Sequence, residues 1–124
     1  MKRETIHTLK AAGHKNPIPQ AVKIGNILFT SAITGQDPNT LSIPEDPRQQ
    51  IFQAFENLKA IVEAAWATFD NVGKVNVWLR DFKLRDVVNE AWVKYFPGDK
   101  PARMTLQTGL LPEASIELDA VAVL

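Results

Sequence analysis

Ile116-Glu117-Leu118-Asp119-Ala120-Val121-Ala122-Val123 is the stretch that decides the fold. Ile116, Leu118, Ala120 and Ala122 alternate with Glu117, Asp119, Val121 and Val123, the period of a strand whose successive side chains point to opposite faces. One face is wholly apolar. The other starts with two acids and ends with two valines, so this strand has something to bury on both sides. Helices of the same chain can cover one side, and other copies of the chain are the natural cover for the second.

Working outward, Arg103 to Thr108 is a second strand, separated from the first by the turn-like Leu110 to Ser115. Before it, Val88, Trp92 and Tyr95, with Leu84 and Phe96, form the apolar stripe of a helix that Asp81 caps and Pro97-Gly98 ends. Val75, Val77 and Leu79 alternate with Asn76, Trp78 and Arg80 as a half-buried strand, set off by the break at Asp70 to Gly73. A longer helix precedes that break. Asp46 suits its cap and Pro47 its first position, and Ile51, Phe55, Leu58, Val62 and Ala65 recur at intervals of three or four to about Ala67. Gly35 to Asp46, rich in turn formers, is a loop. Ala21 to Ile24 and Ile27 to Thr34 flank Gly25-Asn26, the signal of a tight hairpin. Pro17 and Pro19 make Gly13 to Pro19 a loop, and Glu4 to Leu9 reads as an edge strand. The order β-β-β-α-β-α-β-β predicts an α+β domain over residues 1–124, with two helices on one face of a mixed sheet of about six strands.

Fourteen basic residues balance fourteen acidic ones. No overall field favours nucleic acid or an anionic membrane, so neither is an expected partner. The chain has no cysteine, which excludes disulfides, thiolate nucleophiles and Cys-based metal sites. Met1-Lys2-Arg3-Glu4 leads into a polar segment rather than an apolar signal core, and a cytoplasmic location is the expectation. A chain this short buries only roughly two thirds of the surface it exposes when unfolded, so association is expected to add stability.

Arg103 is the first candidate for chemistry. A guanidinium on a strand can hold a carboxylate through two parallel hydrogen bonds, although a surface ion pair fits the same position. Glu117 and Asp119 share a strand face, where one could direct water or move a proton, and where both could equally be solvated. Two like charges so placed would raise a carboxyl pKa if the face were buried. His7 and His14 stand without ligand-like spacing, so no metal is expected. Ser31 has no evident triad partner and reads as a structural or substrate-contacting hydroxyl. Gly25 and Gly35 stand alone, which leaves no phosphate-binding loop. Trp66, Trp78 and Trp92 are expected in packing or subunit contacts rather than in a base-stacking platform.

Across its whole length the chain resembles the RidA (YjgF) family. The residues that carry the likeness are Pro17, Gln20-Ala21-Val22, Gly25-Asn26 and Phe29-Thr30-Ser31, then Asn57-Leu58-Lys59-Ala60-Ile61-Val62-Glu63-Ala64-Ala65. Val88-Asn89-Glu90, Tyr95-Phe96, Pro101-Ala102-Arg103 and Ile116 to Val123 complete it. The resemblance implies a chorismate-mutase-like subunit in a homotrimer, with clefts between subunits that bind small carboxylates and hydrolyse enamines or imines without a metal or organic cofactor. It places the family's carboxylate-binding arginine on Arg103 and the acid that positions the hydrolytic water on Glu117. The backbone donor falls on Thr105, the strand serine on Ser31 and the helix asparagine on Asn89.

Two positions depart from the family pattern. Ile18 stands where a cleft tyrosine is usual, and Ala32 replaces the glycine that follows the strand serine. Both line the expected cleft, so the substrate is expected to differ from simple 2-imino acids. A trimeric carboxylate-binding or regulatory protein without catalysis is the alternative that these departures keep open. RNA cleavage, an older family label, is disfavoured by the neutral charge and the lack of a His-based acid–base pair.

Overall fold

A computed structural model describes residues 1–124. Seven strands and two helices follow in the order β1 (Glu4–Ile6), β2 (Ala21–Ile24), β3 (Ile27–Thr30), β4 (Ile33–Thr34), α1 (Pro47–Ala64), β5 (Val72–Leu79), α2 (Arg85–Tyr95), β6 (Ala102–Gln107) and β7 (Ile116–Val123). Single 3₁₀ turns at Phe69–Asn71 and Phe82–Leu84 lead into β5 and α2. The strands form one sheet in the order β1-β2-β3-β7-β5-β6, with β4 also paired to β7. All pairings are antiparallel except β5 with β6, the pair that α2 crosses over to join. The mixed α+β sheet with both helices on one face is thus as the sequence predicts. The strand count rises from about six to seven because Ile27 to Thr34, read as one strand, breaks at Ser31-Ala32 and re-pairs as β3 and β4.

The expected faces of β7 are borne out by its register. Ile116, Leu118 and Ala120 sit opposite Leu79, Val77 and Val75, and all six are buried under the helices. Ile51, Phe55, Leu58, Ile61 and Val62 of α1, with Val88, Ala91 and Trp92 of α2, complete that core. The other face is open. Phe29 lies opposite Val121 and Ile27 opposite Val123, with Trp78 beside Leu106, and Phe29 and Val123 are 40% and 51% exposed. Lys74, Asn76, Asp119 and Glu117 stand between these apolar groups on the same face, and no element of the chain covers it, the arrangement expected of an interaction surface.

Helix α1 begins as its sequence predicts, with the Asp46 carboxylate accepting from Arg48 N at 3.0 Å and Pro47 in the first position. It ends through bonds from Trp66 N to Glu63 O and from Ala67 N to Val62 O around a left-handed Trp66. Trp66 is 98% exposed and packs on nothing within the chain. Trp92, by contrast, is in the core, and Trp78 is half-buried on the open face.

Three buried amide side chains tie the loops to this frame. Gln20 donates to Thr8 O, Ala11 O and Ala12 O and accepts from Thr8 N, which fixes the segment before β2. Gln50 donates to Pro44 O and Glu113 O and accepts from Ser115 N, and Asn57 donates to Thr34 O and Gln36 O. Each replaces water for several backbone groups at once, so truncating one leaves more than one buried group unpaired. Between Asn57 and Gln50 the chain leaves β4 through Gly35, whose missing side chain lets its backbone lie against α1. A Cβ there would fall on the Gln50 carbonyl oxygen.

Gly35→Ala should therefore destabilise the fold by about 3 kcal/mol, the upper end of overpacking costs, because backbone cannot move aside as a side chain can. Gly73→Ala, whose nearest neighbour would be Val121 O at 4.0 Å, should change stability far less. Urea unfolding of the two variants beside the parent checks the contrast.

Candidate functional site

Strand β6 is an edge, so half of its backbone groups are free. Thr108 N donates to Leu79 O on β5, and alternation therefore turns the N–H groups of Arg103, Thr105 and Gln107 outward to the open edge. Their side chains share a face as well. Arg103, Thr105 and Gln107 are in register with Val75, Val77 and Leu79, which places them on the helix side of the sheet.

Helix α2 meets that row with Arg85, Asn89 and Trp92, spaced i, i+4 and i+7 and so on one helical face. Arg103 Nη2 donates to Asn89 Oδ1 at 2.9 Å, and its guanidinium lies 5.0 Å from the centroid of the Trp92 ring. Stacking and one hydrogen bond fix the plane of the fork and leave most of its donors unused. No acid neutralises it, since the three ion pairs of the chain are Lys23–Glu4, Arg48–Glu90 and Lys59–Glu63. Partial burial, and then the positive charge of Arg85, hold the Arg103 pKa below the usual arginine range. Beside it the Thr105 hydroxyl oxygen is buried without a hydrogen-bond partner. A planar fork with spare donors, a buried hydroxyl and an outward N–H therefore lie within three residues of β6, and the fork is the group suited to a carboxylate.

Glu117 lies elsewhere. It pairs with Trp78 of β5 and Thr34 of β4, on the open face, and β5 separates its strand from β6. Two strand spacings amount to about 10 Å, and the sheet itself stands between the side chains, so Arg103 and Glu117 of one chain do not converge. Glu117 joins no ion pair, and burial alone pushes its carboxyl above the usual carboxylate range. Asp119 is engaged differently. Its two oxygens accept from Asn76 Nδ2 and Trp78 Nε1, each at 2.9 Å. The pair of acids on one face is thus divided into one held and one free.

The remaining expected residues sit near Glu117 rather than near Arg103. Ser31 and Ala32 form the break between β3 and β4, opposite the part of β7 that follows Glu117, and Thr30 Oγ1 accepts from Ala120 N at 2.9 Å where the ladder is interrupted. Ser31 N donates to Gln20 O at 2.9 Å, which ties the break to the loop carrying Ile18. Ile18 is 45% exposed. The structure therefore sorts the residues into two groups, Arg103, Thr105 and Asn89 at one edge of the sheet, and Glu117, Ser31, Ala32 and Ile18 beyond β5. Sequence reasoning missed Arg85, Trp92 as a stacking partner and the Trp78–Asp119–Asn76 cluster. The i, i+4, i+7 spacing of Arg85, Asn89 and Trp92 was the signal available for the first two.

The family model described as Endoribonuclease L-PSP matches residues 7–124. The mouse protein named 2-iminobutanoate/2-iminopropanoate deaminase is 37% identical over 123 residues, covering 98% of this chain and 91% of its own. The crystal structure of RidA from the Antarctic bacterium Psychrobacter sp. PAMC 21119 superposes with a TM-score of 0.94 at 37% identity, over 98% of this chain and 100% of that one. The crystal structure of E. coli TdcF with bound serine gives a TM-score of 0.93 at 32% identity, over 98% of each chain.

The raised Glu117 pKa has a sign that can be checked. The folded chain favours the protonated carboxyl, so the penalty on folding is absent below the unfolded value near 4.5 and complete above the raised folded value. Glu117→Gln should be more stable than the parent at neutral pH, with the difference vanishing as pH falls through that window. Urea midpoints of both proteins across pH 3.5 to about 7.5 test this.

Proposed function

The chain belongs to the RidA family, and from that membership we propose that it is an enamine or imine deaminase, which hydrolyses a small carboxylate-bearing reactive intermediate to a keto acid and ammonia. The observation that carries this reading is the pair of partly desolvated charged groups without an ion-pair partner, Arg103 and Glu117, on opposite faces of one sheet. A second copy laid against the open face would bring the Glu117 of one chain to the Arg103 edge of the next. A homotrimer with a cleft at each boundary satisfies that need symmetrically and also covers Phe29, Val121 and Val123. The mouse relative's name and the serine held by the E. coli relative both support a small substrate carrying a carboxylate.

In this reading the Arg103 fork anchors the substrate carboxylate, while Asn89 and Trp92 keep its plane fixed. The outward N–H of Thr105 supports the same carboxylate. Protonation of an enamine at carbon gives an iminium, whose carbon is already electrophilic. Glu117, raised in pKa by burial, accepts a proton from water as the water oxygen bonds to that carbon. Transfer of that proton to nitrogen lets the C–N bond break, and as ammonia leaves, the hydroxyl oxygen gives its own proton to Glu117 and becomes the carbonyl of the keto acid. Ser31, Ala32 and Ile18 form the wall beside the reacting carbon.

Ammonia release from 2-aminoacrylate generated in the presence of the purified protein is the direct test. Glu117→Gln should retain binding and lose about 10²- to 10⁴-fold in turnover, as expected for a missing general base. Arg103→Ala should weaken carboxylate binding by about tenfold to a hundredfold, the worth of charge-assisted hydrogen bonds. No acceleration over buffer with several imino acids would exclude the activity. Ile18 brings no hydroxyl to the cleft, and tight keto-acid binding without turnover would identify a carboxylate-binding regulatory protein instead.

A further inference from the structure

Arg85 has no role in the deamination just described, yet it shares the site. It is one helical turn from Asn89 on the face of α2 that meets β6, and Asn89 is the residue bonded to Arg103. Its position is fixed. Arg85 Nε donates to Phe82 O at 3.3 Å and its guanidinium lies 5.0 Å over the Phe82 ring. Phe82 N in turn donates to Gln107 Oε1 at 2.8 Å, and Gln107 projects from the same face of β6 as Arg103. Arg85 is therefore tied to the strand that carries the carboxylate anchor, with its terminal nitrogens free.

No acid of the chain answers the two cations. Glu90 is engaged by both Nη atoms of Arg48. The Asp81 carboxylate caps Lys83 N, and Asp86, next in sequence to Arg85, is turned about 100° away around the helix. The charge of Arg85 reaches Arg103, since it is one of the two causes that lower the latter's pKa. Two guanidinium groups kept at one site without an anion repel each other, and a ligand with two negative charges relieves that repulsion where a single carboxylate does so only in part.

Building on the deaminase reading, we propose that the preferred substrates are dianionic, imines or enamines with a second carboxylate at the far end of the side chain, Arg103 taking the carboxylate beside the imine carbon and Arg85 the distal one. Arg85 is then a specificity-determining residue. The exposed position of Arg85 in the first turn of α2 makes its replacement tolerable to the fold.

Titration calorimetry with two keto acids of equal length, 2-oxoglutarate and 2-oxopentanoate, tests the idea on the intact protein at low salt. The dianion should bind at least about tenfold more tightly, as one additional partly exposed charge pair allows. Arg85→Ala should erase that difference by lowering 2-oxoglutarate affinity much more than 2-oxopentanoate affinity, and Arg85→Lys should keep part of it. Equal affinities in the parent, or a preference that survives Arg85→Ala, would overturn the inference and leave the deaminase reading standing. Failure of both acids to bind, with Arg103→Ala indistinguishable from the parent, would overturn the two together.

Discussion

The alternation of side chains across a β-sheet governs everything else in this molecule. Parity sends Arg103 to the helix side of β6 and Glu117 to the open side of β7, and no rotamer carries either through the sheet. The cationic anchor and the acid of the proposed reaction are therefore held apart by the fold that presents them. The same parity leaves valines and a phenylalanine on the open face, where a second copy would remove them from water. Under the proposed function, assembly and site formation become one requirement.

The frame around each half is rigid for separate reasons. On the Arg103 side, Trp92 is itself part of the core, so the ring on which the guanidinium stacks cannot shift without disturbing Phe55 and Phe96, which it contacts edge-on and at a tilt. On the Glu117 side, Asn76 and Trp78 occupy both oxygens of Asp119, which leaves Glu117 as the unengaged acid of the pair. Gln20 and Asn57 pin the loops that flank the β3–β4 break by bonds to backbone carbonyls. Geometry in both halves is thus set before any ligand arrives, the condition for electrostatic stabilisation without reorganisation.

Much of this was legible in the sequence. The period of two in β7 and of three to four in α1 gave the layers directly, because burial on one face imposes those periods whatever the neighbours are. Asp46-Pro47 marked the start of α1 for a local reason, and Gly25-Asn26 the hairpin, where Gly25 takes a positive φ. The break at Ser31-Ala32 was not visible, since both residues are at home in a strand and the interruption is made by Thr30 capping Ala120 N across the sheet. Trp66 was expected in a contact and is bare in the single chain, because the helix end that exposes it is set by backbone bonds rather than by its ring. The opposed faces of Arg103 and Glu117 were likewise hidden. Each strand shows its own parity, but only the pairing register joins the parity of β6 to that of β7 through β5.

Complementation between two inactive chains probes the opposed faces most directly. Arg103→Ala and Glu117→Gln proteins, each assayed alone and then unfolded together and refolded as a mixture, differ in what they can rebuild. If every site takes Arg103 from one copy and Glu117 from its neighbour, random mixing should restore about a quarter of the sites, and with them about a quarter of the parent activity. A mixture as inactive as its two components, in assemblies confirmed to contain both chains, would contradict a site shared between copies.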